Sequence, residues 1–216
     1  MKGLDFTYQG TKTKEISFPV GGIGSGSIGL SGNGRLIDWE IFNKPNKESI
    51  NGFSHFAVKA ESNGKLLDAR VLNGDYPYPH TGSRTKSLGH GVERKTMAGL
   101  PHFRDCLFEG QYPFAEITFR DEAFPGIVQL TSFNPLIPLN DKDSSLPAAF
   151  FMVEIENPTE KEIEYTVCLS VSNPHKNRTM NLFDQQNKLT MIKLCTELYE
   201  EDDPNFGDIT VSTDHD

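Results

Sequence analysis

Residues 151–171 constrain the fold more than any other part of the chain. Ile163, Tyr165, Val167, Leu169 and Val171 recur at every second position, opposite Glu164, Thr166, Cys168, Ser170 and Ser172. A period of two places the first set on one face of an extended strand and the second set on the other. The preceding run Phe151, Val153, Ile155 repeats the pattern, and "NPTEKE" supplies turn chemistry between them. The two runs read as neighbouring strands whose apolar faces lie over a core.

Other hairpins read the same way. Phe56, Val58 and Ala60 lead through Asn63-Gly64 to Leu67, Ala69 and Val71. Asn-Gly between alternating runs is a strong two-residue hairpin signal, because both central residues take positive φ. Ala115, Ile117 and Phe119 pass through Pro125-Gly126 to Val128 and Leu130, and further strands read at Leu189–Cys195 and Asp208–Thr213. No segment holds a 3.6 period over three turns; "LCTELYEEDD" comes nearest. The expected class is therefore all-β: one antiparallel β-sandwich domain over residues 1–216, with long irregular loops. Alternation breaks down between residues 74 and 113, a long irregular stretch of the kind that carries function or moves.

Residues 21–29, "GGIGSGSIG", contain a literal G-x-G-x-x-G. A dinucleotide loop must run into a helix whose N-terminus receives the phosphate. Here Gly32, Asn33 and Gly34 follow at once, and Asn33-Gly34 signals another hairpin. Beyond it Ile37, Trp39 and Ile41 form the apolar side of a strand and Asp38 and Glu40 the polar side. The glycines therefore read as a device for close backbone approach or a tight bend.

Chemistry is sparse. Asp38 and Glu40 form either a carboxylate pair or the solvent face of their strand. Asp141-Lys142-Asp143 opens like a calcium loop but lacks its Gly and distal Glu, so it reads as a turn. His80, His90 and His102 show no metal spacing, and no cofactor is expected. Tyr76, Tyr78 and Phe103 could stack on sugar rings if the chain were a free-standing carbohydrate-binding module. A net charge of −9 argues against nucleic-acid phosphates as partner. Cys106, Cys168 and Cys195, odd in number and far apart, read as free thiols of a reducing compartment. No apolar run reaches the ~20 residues of a membrane span, and the N-terminus lacks an apolar signal core. The expected location is cytoplasmic, with peripheral membrane association open.

Three ordered blocks add a resemblance. "FPVGGIGSGSIGLSGNGRLIDWEIFNKP" (18–45), "YPFAEITFRDEAFPGIVQLTSFNPLIPLNDKDSSLPAAFFMVEIENPTE" (112–160) and "DPNFGDITVSTD" (203–214) resemble the N-terminal domain of glycoside hydrolase family 116. That family includes β-glucosidases and the non-lysosomal glucosylceramidase. The resemblance implies a supersandwich-like β-sandwich, incomplete over these residues, paired with a C-terminal helical (α/α)6 catalytic domain. It makes Gly22, Gly24 and Gly26, with Trp39, Asn43 and Lys44 just beyond, candidates for the domain junction or a substrate-adjacent surface; the plainer alternative leaves Trp39 in the core and Asn43–Pro45 as a turn. It also implies retaining hydrolysis of β-glucosides, such as glucosylceramide, by two carboxyl groups. Both belong to the helical part, so no catalytic residue is carried over to this chain. A purely structural or adhesion module is a third reading.

Overall fold

The computed structural model describes residues 6–42, 44–75, 97, 99–186 and 188–215. The chain divides into two compact units, residues 1–170 and 171–216, a division that no linker composition announces.

The larger unit holds three antiparallel sheets. One has five strands in the order β1 (Thr7–Gln9), β7 (Asp105–Gln111), β8 (Phe114–Arg120), β9 (Ile127–Phe133) and β10 (Phe150–Glu156). A second runs β11 (Glu164–Ser170), β5 (His55–Ser62), β6 (Lys65–Val71). The third is β2 (Ser17–Val20), β3 (Ser27–Ser31), β4 (Leu36–Glu40). The smaller unit is a sheet of β12 (Thr179–Gln186), β13 (Leu189–Thr196) and β14 (Ile209–Thr213). Among the described residues the helical content is a 3-10 turn at Gly10–Thr13 and the single turn α1, Asp141–Ser144. Asn140 caps α1 by accepting the Asp143 N–H, so the calcium-like acidic string is a capped turn.

The fold is the expected all-β sandwich. Ile117, Phe119, Val128 and Leu130 are fully buried on one face of β8 and β9, while their alternates are partly open. Each such side chain contributes about 1.5–3 kcal/mol relative to exposure. The β5 sheet closes over them, with Phe56 meeting Phe151 at a ring separation of 5.2 Å. Phe103 fills the space beside Phe119 and Phe124, at 5.6 and 5.1 Å.

Two features depart from the sequence reading. First, β10 and β11 do not pair. β10 joins β9 and β11 joins β5, so "NPTEKE" carries the chain from one sheet to the other. β11 is an edge strand, and Val167 on its apolar side is 41% exposed. Alternation reports which face of a strand is greasy, but not which strand lies beside it. Second, the faces of β6 are inverted from Leu67 to Arg70, while Val71 is buried as expected. The Asn63-Gly64 turn sets Ser62 opposite Lys65 and Glu61 opposite Leu66, with both turn residues at positive φ as expected. A bulge then shifts the register, so Ala60 faces Asp68 and Val58 faces Arg70. One extra residue flips every side chain beyond it. Leu67 is therefore 46% exposed, while Asp68 and Arg70 stand beside the core face of β5.

The consequence is a sequestered ion network. Arg70 pairs with Asp68 at 2.7 Å and with Asp121 at 2.6 Å, and donates to the His102 carbonyl at 2.8 Å. Its guanidinium also lies over the Phe103 ring, 5.5 Å from the centroid. Burial pushes the Asp121 carboxyl up, but the Ala123 N–H, the Arg70 guanidinium and the Arg104 N–H together hold it below its ordinary value.

Candidate functional site

The glycine string is an extended loop between β2 and β3 and carries no helix, which removes the structural requirement of a phosphate cradle. Its glycines serve different ends. Gly24 has φ +73° and open space around it, so it is there for the bend. Gly22 is buried, and a Cβ at that position would collide with the Leu146 carbonyl and lie 2.6 Å from the Ser145 carbonyl carbon. Gly26, at φ +96°, would bring a Cβ to 2.9 Å from the Glu40 carbonyl oxygen. The loop is thus pinned between β4 and the segment at 144–146, to which the Ile23 N–H also bonds through the Ser144 carbonyl at 2.8 Å.

Asn134, just past β9, completes this junction. Its Oδ1 accepts the Gly21 N–H at 2.6 Å and its Nδ2 donates to the Pro19 carbonyl at 2.8 Å. It does for the loop what a strand partner would do. Sequence reasoning missed it, because a lone Asn after a strand looks like any turn residue and its partners lie over a hundred positions away.

Asp38 and Glu40 are neither a solvent face nor an open carboxylate pair. Asp38 is 7% exposed and adopts φ 48°, a left-handed conformation that Asp tolerates. Its two oxygens accept the Ser17 hydroxyl at 2.6 Å and the Glu48 N–H at 2.7 Å. Glu40 accepts Lys47 Nζ at 2.8 Å and the Asn46 N–H at 3.2 Å, and Lys47 also stands 3.7 Å from Asp38. The Lys47 hydrogen bond holds the Glu40 carboxyl below its ordinary value, and Glu40 in turn raises Lys47. Residues 46–49 therefore clasp β4, and both carboxylates are committed to that clasp.

Trp39 is 4% exposed, its indole N–H donating to the Leu36 carbonyl at 3.2 Å. It is a core residue. Lys44 is exposed in the turn beyond β4. Asn43, Tyr76 and Tyr78 lie outside the described residues, as do His80 and His90. Phe103 departs from the expectation of an exposed sugar platform: it is fully buried, with Arg70 over its ring. Stacking needs an open face, and this ring has given its surface to the core. His102 Nε2 lies 2.8 Å from Asp75 and Nδ1 2.9 Å from the Leu100 carbonyl. Among the described residues no group of three or more His, Cys, Asp or Glu is placed to hold a metal ion.

The described residues thus form an aromatic core, tied carboxylates, and a glycine loop held to its neighbours by backbone contacts. Residues 17–214 match the family model described as beta-glucosidase 2, glycosyl-hydrolase family 116 N-term. All three blocks quoted from the sequence lie inside that span. The chain belongs to the glycoside hydrolase family 116 N-terminal domain family.

Proposed function

We propose that this chain is the non-catalytic β-sandwich part of a retaining β-glucosidase that hydrolyses β-glucosides such as glucosylceramide. In this reading it packs against the catalytic domain and supports it. The observation that carries the reading is the family match, which runs over residues 17–214 and is to an N-terminal domain. The site chemistry supports it. Retaining hydrolysis needs two carboxyl groups about 5 Å apart, one free to attack and one to shuttle a proton. Asp38 and Glu40, the pair that the sequence singled out, spend their oxygens on Ser17, Glu48, Lys47 and Asn46. The three free cysteines favour a reducing, cytoplasmic setting. A glucosylceramide substrate would bring the whole protein to a membrane surface from that side.

The test is hydrolysis of an aryl β-glucoside and of glucosylceramide by the chain alone, and by the chain mixed with a separately expressed family 116 catalytic domain. The expected result is no turnover alone and a catalytic domain made more active or more heat-stable by the chain. Turnover by the chain alone, abolished by Asp38→Asn or Glu40→Gln, would overturn the proposal.

A further inference from the structure

Asn-Gly occurs at four places in the chain: Asn33-Gly34, Asn51-Gly52, Asn63-Gly64 and Asn73-Gly74. This dipeptide is chemically labile. The main-chain nitrogen of the glycine can attack the asparagine Cγ, and no Cβ on the glycine obstructs the five-membered ring that results. The sequence therefore writes the same reaction four times, and the structure separates the four.

Three pairs are held. Asn33 is 5% exposed; its Oδ1 accepts the Ser31 hydroxyl at 2.6 Å and its Nδ2 donates to the Asp75 carbonyl at 3.1 Å. The Gly34 N–H donates to the Ser31 carbonyl at 2.9 Å. Asn73 is also 5% exposed, and the Gly74 N–H donates to the Asn33 carbonyl at 2.8 Å. Asn51 is half-buried; its Nδ2 donates to Ser54 Oγ at 3.2 Å, and its carbonyl accepts the Ser54 N–H at 3.1 Å. The attacking nitrogen must first shed its proton, which an N–H committed to a carbonyl does poorly. A tied side chain cannot swing its Cγ over that nitrogen without local opening.

Asn63-Gly64 differs in every respect. It forms the tip of the β5–β6 hairpin, just beyond the pair Ser62 and Lys65, on the edge strand of its sheet. Both residues are exposed, at φ 50° and 71°, and a Cβ on Gly64 would meet nothing within 4 Å. Among the described residues nothing bonds the Asn63 side chain or the Gly64 N–H.

We propose that Asn63 is a self-modification site, at which the Gly64 nitrogen displaces ammonia from the side-chain amide and water opens the ring. The Gly64 nitrogen gives up its proton and bonds to Cγ; the Cγ–Nδ2 bond breaks, and Nδ2 leaves as ammonia with that proton. Water then adds to one of the two ring carbonyls. Opening at Cγ leaves an aspartate at position 63. Opening at the main-chain carbonyl leaves an isoaspartyl link, in which the backbone runs through the side chain and is one carbon longer. Aspartate suits the turn, because Asp-Gly takes the same two positive φ angles. The isoaspartyl form does not: a two-residue loop has no room for the extra carbon, so Ser62 no longer stands opposite Lys65. The proposal stands independently of the chain's function.

The test is peptide mapping by mass spectrometry of the 216-residue chain, incubated in mildly alkaline buffer with and without urea, with the two isomers separated by chromatography. In the folded chain Asn63 should convert to both isomers, at least about tenfold faster than Asn33, Asn51 or Asn73. In urea the four rates should converge. Asn63→Gly keeps residues that the turn accepts, so that variant should melt within a few degrees of the parent and release ammonia at least about tenfold more slowly in the folded state. Conversion of Asn33, Asn51 or Asn73 as fast as Asn63 in the folded chain overturns the proposal. So does an intact Asn63, a fourfold pattern that urea leaves unchanged, or ammonia release by the Asn63→Gly variant at the parent's rate.

Discussion

Replacing Arg70 by Met keeps an apolar stem and removes the guanidinium that lies over Phe103. Asp121, whose side chain is 2% exposed, then loses its 2.6 Å ionic partner and keeps the N–H groups of Ala123 and Arg104 and the more distant, exposed Arg104 guanidinium at 3.8 Å. The His102 carbonyl loses its donor at the same time. Stranding one member of a buried pair costs about 3–5 kcal/mol, which in a unit of this size lowers the melting temperature by about 6–20 °C. Asp121→Asn in the same background removes the orphaned charge, so the double variant should be more stable than Arg70→Met alone. The acid limb gives an independent check. A carboxyl held below its ordinary value stabilises the fold above its unfolded pKa of about 3.9, and that stability drains away as pH falls through the lower folded value. Without the Arg70 guanidinium, one of the groups that lower it, the Asp121 carboxyl rises from its value in the parent, so the variant should narrow its deficit relative to the parent below about pH 4. Thermal and urea melts followed by circular dichroism from pH 3 to 7 measure all of this. A cost under about 1 kcal/mol for Arg70→Met, or single costs that add to within about 0.5 kcal/mol, would show that the network is not a buried unit.

Three further outcomes are expected. Gly22→Ala should destabilise by several kcal/mol, because its Cβ meets backbone at Leu146 and Ser145, whereas Gly24→Ala should cost only the ~1–2 kcal/mol of a left-handed residue; equal melting shifts would refute the distinction. Lys47→Met should return the Glu40 carboxyl toward its ordinary value, because the Lys47 hydrogen bond does most to lower it; an NMR titration of the Glu40 side chain that does not move would refute the clasp. Cys168 is exposed, while burial pushes the Cys106 thiol up to about 12, so an aromatic disulfide reagent at pH 8 should modify Cys168 at once and Cys106 only on unfolding; peptide mapping after brief exposure reads the order.

The sequence by itself determined the local grammar. Asn63-Gly64 turns as expected, Asn33-Gly34 falls in a turn that is one residue longer, with Gly34 and not Asn33 at positive φ, and Ile117, Phe119, Val128 and Leu130 point inward as their period demands. Three ordered blocks were enough to suggest the family. Tertiary structure decided the rest: that β11 pairs with β5 and not with β10, that a bulge beside Ala60 sends Arg70 and Asp68 inward where Leu67 was expected, and that Asn134 and Leu146 hold the glycine loop. It also took Phe103 from the surface into the core. Turn preference acts through the φ and ψ of two or three adjacent residues, so it is written where it operates. Strand partnership, bulge placement and burial depend on which distant surfaces fill one another, and no single stretch of chain carries both halves of that fit.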